Sequence, residues 1–213
     1  MTLSFIESPF TTKVEYEAYL TMPAAEQMAA LAKATTAAPA AKTAAAKPAC
    51  PMLPASLERN GEKGMVGQEA LAGKIVVLFF SAEWCPACTN FIPILKTLYE
   101  DGKENGQAIE VVYVSSDRDA AQKDRYMSNK HGDWLSVPYA DKAARDGLKM
   151  KYGCFAGAEA GSFKGIKRRA GIPSIVIISP KGAELLHMDC DPPTEIMRKG
   201  DAILDEWAKH RWD

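Results

Sequence analysis

Six apolar side chains run in succession from Ile75 to Phe80, Ile75-Val76-Val77-Leu78-Phe79-Phe80. A strand buried on both faces reads this way. Residues 108–115, with Val111, Val112 and Val114, and the β-branched run at 175–178 predict two more buried strands. Pro180-Lys181-Gly182 turns the last of these into an antiparallel neighbour over 183–188. Asn60-Gly61 marks a turn inside 57–74 and predicts a small hairpin ahead of the first long strand. Polar and apolar positions at helical spacing fill the gaps. They predict helices over 86–100, 117–131, with Asp119 near its start, and 141–152, ending at Gly153. A last amphipathic helix is predicted over 194–207, with Ile196, Ile203, Leu204 and Trp207 on one face. Residues 134–140 read as an apolar loop carrying a proline. Strands alternating with helices, then a hairpin and a closing helix, give an α/β fold: a mixed central β-sheet flanked by helices on both faces.

The first fifty residues break the pattern. Residues 1–12 show no clear period, and 13–33 carry a patchy helical stripe that Pro23 splits into two short helices; together 1–33 are expected as an N-terminal helical extension. Residues 34–51 are an Ala/Pro/Lys-rich linker with little apolar bulk to bury. Cys50, at its end, is expected as a free surface thiol. The main domain is expected over 52–213. With 47% hydrophobic residues the chain can bury a real core, and its net charge of −1 gives no support to nucleic-acid or membrane-surface binding. No apolar run approaches the ~20 residues of a membrane span. The first ten residues lack a basic stretch followed by a long apolar one, so no secretory signal is expected. Five cysteines with one close pair fit a reducing compartment, and the cytoplasm is the expected location.

That pair carries the chemistry. Trp84-Cys85-Pro86-Ala87-Cys88 joins the first long strand to the helix that follows. Cys85 falls at the helix N-terminus, where unpaired N–H groups and the helix dipole favour an anion, hence a nucleophilic thiolate. Cys88 lies in the first turn, within reach of a disulfide with Cys85. Pro86 suits that turn, because its missing N–H would have no partner there. A C-x-x-C pair is also half of many zinc sites, which need four ligands. The remaining candidates, Cys50, Cys154, Cys190, His131, His187 and His210, form no second close pair at zinc spacing. An inert buried pair is the other alternative. A redox dithiol fits a strand-to-helix junction best.

The segments Val76-Val77-Leu78-Phe79-Phe80-Ser81-Ala82-Glu83-Trp84-Cys85-Pro86-Ala87-Cys88, Phe91-Ile92-Pro93, Trp134-Leu135-Ser136-Val137-Pro138-Tyr139 and Gly171-Ile172-Pro173-Ser174 resemble the thioredoxin superfamily. Within it they are most similar to the tryparedoxin and nucleoredoxin branch. The resemblance covers roughly 57–189. It implies a thioredoxin fold and a thiol–disulfide oxidoreductase that reduces protein disulfides through Cys85 and Cys88. It implies a cis Pro173 facing the dithiol, with Trp84, Pro86, Ile172 and Pro173 around the substrate. No metal or organic cofactor is implied. The implied partners are a low-molecular-weight thiol as reductant, trypanothione or glutathione, or a reductase, and disulfide-containing proteins such as peroxidases as substrates. The alternative function is a nucleoredoxin-like, redox-regulated protein-binding module. A third is a degenerate member that binds partners through residues 1–33 and an insertion.

The chain departs from that pattern in several places. Ala87 stands where proline is usual, Thr89 where a basic residue is usual, and Ser116 where a tryptophan is usual. Phe79 replaces the buried acid of ordinary thioredoxins, which leaves the proton carrier unassigned. Residues 153–170 read as an insertion before the proline loop, with Cys154, four glycines and the cations Lys164, Lys167, Arg168 and Arg169. It is expected to be a solvated loop or a contact for an anionic partner. Cys154 and Cys190 are expected as small core residues.

Overall fold

The computed structural model describes Thr21, residues 50–200 and residues 202–212. The helices expected over 1–33 and the linker up to residue 49 therefore lie outside the described residues, Thr21 apart.

The central strand of the sheet is the apolar run itself. β3 spans Ile75–Ser81 and is buried along its whole length. β4 (Ile109–Ser115) lies parallel to it, pairing Leu78 with Val112 and Ser81 with Ser115. β6 (Ser174–Ile178) runs antiparallel on its other side and β7 (Glu184–Asp189) antiparallel beyond that. Outside β4 come β5 (Leu135–Ser136), parallel, and the hairpin β1 (Ser56–Arg59) and β2 (Met65–Gly67). The spatial order is β2-β1-β5-β4-β3-β6-β7.

Side chains alternate across β3, so each face meets its own core. Ile75, Val77 and Phe79 pack against α1 (Pro86–Glu104), α2 (Ala120–Lys130), α4 (Thr194–Lys199) and α5 (Ala202–Ala208), with Phe91, Leu95, Tyr126, Ile203 and Trp207 in the same cluster. Val76, Leu78 and Phe80 pack against Leu148 and Tyr152 of α3 (Lys142–Tyr152), with Cys50, Leu53 and Trp212. The mixed sheet with helices on both faces thus follows from one strand's double burial. Among the described residues no helix is long and apolar enough to cross a membrane.

Four local expectations differ from the structure. Cys50 is buried, not at the surface: its N–H donates to Gln68 Oε1 at 2.6 Å, and Gln68 Nε2 donates back to its carbonyl at 3.2 Å. The apolar loop at 134–140 contains β5, a two-residue ladder between β4 and β1. The helix expected from 117 begins at Ala120, because the Asp119 side chain caps it, accepting from Gln122 N at 2.7 Å. The single helix expected over 194–207 is two, broken at Gly200, whose φ of 51° and ψ of −135° cannot continue a helix. The apolar face survives the break, since Ile196, Ile203, Leu204 and Trp207 are all buried.

One buried acid ties the hairpin to the sheet. Glu110, on β4, is paired with Arg59 of β1 at 3.0 Å and with Lys74 at 2.6 Å. Removing one partner of such a buried group costs several kcal/mol, because a charge stays desolvated.

Candidate active site

β3 delivers the chain to the sheet's edge at Ser81, and the turn 82–84 leads into α1. Cys85 is the N-cap of α1, with extended backbone (φ −94°, ψ 112°), and its sulfur accepts from Cys88 N–H at 3.2 Å. One of the helix's free donors therefore points at the Cys85 sulfur, which stabilises negative charge there. Pro86 follows at the first helical position and is exposed. The two thiols are not equivalent. Cys85 keeps 6% of its surface in contact with solvent, whereas Cys88 keeps none. Burial pushes the Cys88 thiol well above its ordinary range, and the neighbouring Cys85 adds to this, while the Ser81 hydroxyl and the Ala82 backbone pull it back. Cys88 is thus a protonated thiol at neutral pH, and Cys85 is the sulfur a ligand meets first.

The opposite wall comes from the start of β6. The Ile172–Pro173 peptide is cis. The Ile172 carbonyl accepts from the Cys85 thiol at 3.6 Å, and its side chain packs against the two cysteines. Pro173 is buried behind it, and Ile172 and Trp84 are half-buried. Trp84 lies on the other flank, its indole N–H donating to the Ser116 carbonyl at 2.9 Å. The structure therefore gathers Cys85, Cys88, Trp84 and Ile172, with Pro86 at the helix start and Pro173 beneath.

Under the dithiol sits a polar bed with no obvious sequence signal. The Ser81 and Tyr126 hydroxyls are 3.2 Å apart. Tyr113 donates to Asp117 Oδ2 at 2.5 Å, and Ser115 donates to the same oxygen at 2.7 Å. Asp117 Oδ1 accepts from Glu83 N at 2.7 Å, which pins the turn before the cysteines. Burial holds Tyr113 and Tyr126 as neutral phenols far past their ordinary range. Beside them His131 accepts from Trp134 Nε1 at 3.1 Å, and burial lowers its pKa to about 3. The Glu83 carboxylate is paired with Arg125 at 3.0 Å, so it is engaged away from the thiols.

The segment 153–170 is only partly a solvated loop. Cys154, Phe155, Ala156 and Phe163 are buried, and burial raises the Cys154 thiol to about 12. Lys164, Lys167, Arg168 and Arg169 are exposed. Glu159 reaches back to the site: it accepts from Ser116 Oγ at 2.8 Å and from Lys149 Nζ at 2.5 Å. Cys50 and Cys154 lie in one core cluster and Cys190 in another, both apart from the pair. Among the described residues no group of three His, Cys, Asp or Glu side chains is placed to hold a metal ion.

A family model described as thioredoxin-like matches residues 73–184. Nucleoredoxin from Xenopus laevis is 35% identical over 136 residues, 64% of this chain and 28% of that protein. Nucleoredoxin from Danio rerio is 31% identical over 161 residues, 76% of this chain and 34% of that protein. The chain thus spans about a third of the length of these relatives. Among solved structures, tryparedoxin from Trypanosoma brucei superposes with a TM-score of 0.55 at 25% identity, over 73% of this chain and 94% of its own. Thioredoxin from Wuchereria bancrofti superposes with a TM-score of 0.52 at 29% identity, over 73% of this chain and 95% of its own.

Proposed function

The chain belongs to the thioredoxin-like family, has the thioredoxin fold and resembles that family's tryparedoxin and nucleoredoxin branch, and we propose that it is a tryparedoxin-like reductase of protein disulfides. The observation that carries this is the pairing of a solvent-touching Cys85, capping α1, with a wholly buried Cys88 one turn on. The Cys85 thiolate attacks one sulfur of a substrate disulfide. A mixed disulfide forms and the other substrate sulfur leaves as a thiolate, which takes up a proton. Cys88 then gives up its proton and attacks Cys85 Sγ. The second substrate thiol leaves, and a Cys85–Cys88 disulfide holds the oxidising equivalents. A low-molecular-weight thiol such as glutathione or trypanothione returns the two electrons, and peroxidases are among the candidate substrates. Trp84 and Ile172 flank the entering disulfide, while Pro86 and Pro173 shape its seat. Cysteine usage favours the cytoplasm.

The test is trapping. Cys88→Ser in the full chain should accumulate mixed disulfides through Cys85 alone, and the native protein should reduce insulin with dithiothreitol. Adducts on Cys154 or Cys190 instead, or no reductase activity, would sink this function. A second function has support of its own, because the curated relatives above are nucleoredoxins. A nucleoredoxin-like module would bind a partner whose capture depends on the oxidation state of Cys85 and Cys88.

A further inference from the structure

Four cations rise from the segment between α3 and β6, and they are not alike. Arg169 is taken up by Glu184 on β7, at 2.5 Å. Arg168 has no carboxylate within ion-pair distance among the described residues. Instead its Nε donates to the Phe155 carbonyl at 2.9 Å, which fixes the base of the guanidinium. Its Nη2 lies over Gly171, only 2.6 Å from where a Cβ would stand. Any side chain at 171 would therefore displace the guanidinium, and glycine leaves room for it. Gly171 immediately precedes Ile172, whose carbonyl is 3.6 Å from Cys85 Sγ. Backbone dimensions then keep the Arg168 guanidinium within roughly 14 Å of the nucleophilic sulfur. A planar fork tethered at one nitrogen and open at the other end is suited to a carboxylate. Lys164 and Lys167 are also exposed and add the same sign nearby.

We propose that Arg168 is a carboxylate-binding residue on the rim of the dithiol, and that it selects ligands carrying a carboxylate no farther than about a tripeptide's length from the reacting sulfur. The inference rests on the thiol–disulfide exchange assigned to Cys85 and Cys88, and it names the ligand class of that site. Two sources supply this chemistry: an anionic tripeptide thiol such as glutathione, and an acidic residue flanking a protein's disulfide. Ligands bearing net positive charge in the same place are disfavoured.

Both sources are tested on the full-length protein. In the first arm the oxidised protein is reduced by glutathione or by its diethyl ester, which lacks both carboxylates. In the second arm the reduced protein acts on two disulfide peptides that differ only by Asp or Asn beside the cysteine. Each arm is read as a ratio of rate constants, free acid over its ester or amide, within one variant, so a change in folding or in the dithiol cancels. The exposed ion pair predicts that Arg168→Gln lowers the ratio about threefold, that Arg168→Lys restores part of it, and that 0.5 M salt lowers the parent's ratio. A fall in the first arm assigns the site to small thiols, and a fall in the second assigns it to protein substrates. Ratios unmoved by Gln and by salt in both arms, with turnover intact, overturn the proposal and leave the exchange chemistry standing. A parent protein that exchanges with none of the four ligands overturns both.

Discussion

Replacing Ser81 by alanine isolates the second half of the proposed reaction. Cys88 must lose a proton before it can attack, yet it is fully buried and its thiol is held above its ordinary range. The Ser81 hydroxyl works against that burial, and Tyr126 lies 3.2 Å behind it. A hydrogen bond to a charged group is worth about 1.5–3 kcal/mol. At ~1.4 kcal/mol per decade, its loss should slow thiolate formation at Cys88 by roughly 10- to 100-fold. The attack of Cys85 on substrate uses the other sulfur and should change little. Acid-quenched time points with mass spectrometry would therefore show a longer-lived mixed disulfide in Ser81→Ala, formed at nearly the parent's rate. The pH dependence has a definite sign. Because Cys88 stays protonated through the neutral range, the resolving rate should rise about tenfold per pH unit from roughly 6 to 8 in both proteins, with the variant's line parallel and lower. Tyr126→Phe should fall between the two, since it leaves the serine hydroxyl in place. A mixed-disulfide lifetime within twofold of the parent's, in a variant that unfolds normally, would refute the argument and leave Cys88 without a polar partner from β3.

Three further outcomes follow from the geometry. A chain lacking residues 1–49 should fold and exchange disulfides, whereas cutting through Pro54 also removes the buried Leu53 and should cost about 2–5 kcal/mol, read as a drop of several degrees in the unfolding midpoint. His131 has a folded pKa lowered to about 3, so the unfolded chain binds the extra proton below pH ~6.5 and stability should fall as pH drops from 6.5 towards 3, at up to about 1.4 kcal/mol per unit; His131→Phe should flatten that limb in chemical denaturation at several pH values. Glu159→Ala leaves the Lys149 ammonium, 1% exposed, without its partner and should lower the midpoint by several degrees and shift the Trp84 emission, while Glu159→Gln, which still accepts from Ser116, should shift the emission less.

How much of this was legible in the sequence depended on how local the cause was. β3 announced itself because a strand covered on both faces needs an unbroken apolar run, and Ile75–Ser81 supplies one. The placing of Cys85 at a helix start needed only the strand, the proline and the next apolar repeat. The break at Gly200 was hidden by the apolar face that spans it, because Ile196 and Ile203 reach the same core from two helices. β5 escaped because two residues are too few to show alternation; its ladder exists only because Tyr113 and Glu58 lie on either side of Ser136. Cys50 looked like the end of a linker; what holds it in the core is the apolar cluster around it and the Gln68 side chain, eighteen residues on, which bonds its backbone. The polar bed escaped for the same reason. Ser81 and Tyr126 are 45 residues apart, and no spacing rule joins a strand end to the middle of a later helix.

Two departures from the family pattern belong together in space. Ser116 stands where the resemblance implies a tryptophan, and residues 153–170 read as an insertion. The structure joins them: the Ser116 hydroxyl donates to Glu159, and Glu159 is held by Lys149 of α3. Ser116 in turn holds the Trp84 indole through its carbonyl. A small side chain at 116 would by itself leave this flank of the dithiol short of packing. The segment 153–170 brings a carboxylate to this flank, and buries Phe155 and Phe163 in edge contact, ring centres 4.9 Å apart. Its far end supplies Arg168 over Gly171, on the Ile172 side of the same rim. The segment therefore touches both flanks of Cys85, through Ser116 and Trp84 on one side and through Gly171 and Ile172 on the other. A loop that only lengthened a connection would need neither an ion pair to a buried lysine nor a glycine kept clear for a guanidinium. Its residues instead reach one flank through Glu159 and place the Arg168 guanidinium beside the other, so both flanks are tied to residues 153–170, which is where the proposed carboxylate selection is to be tested.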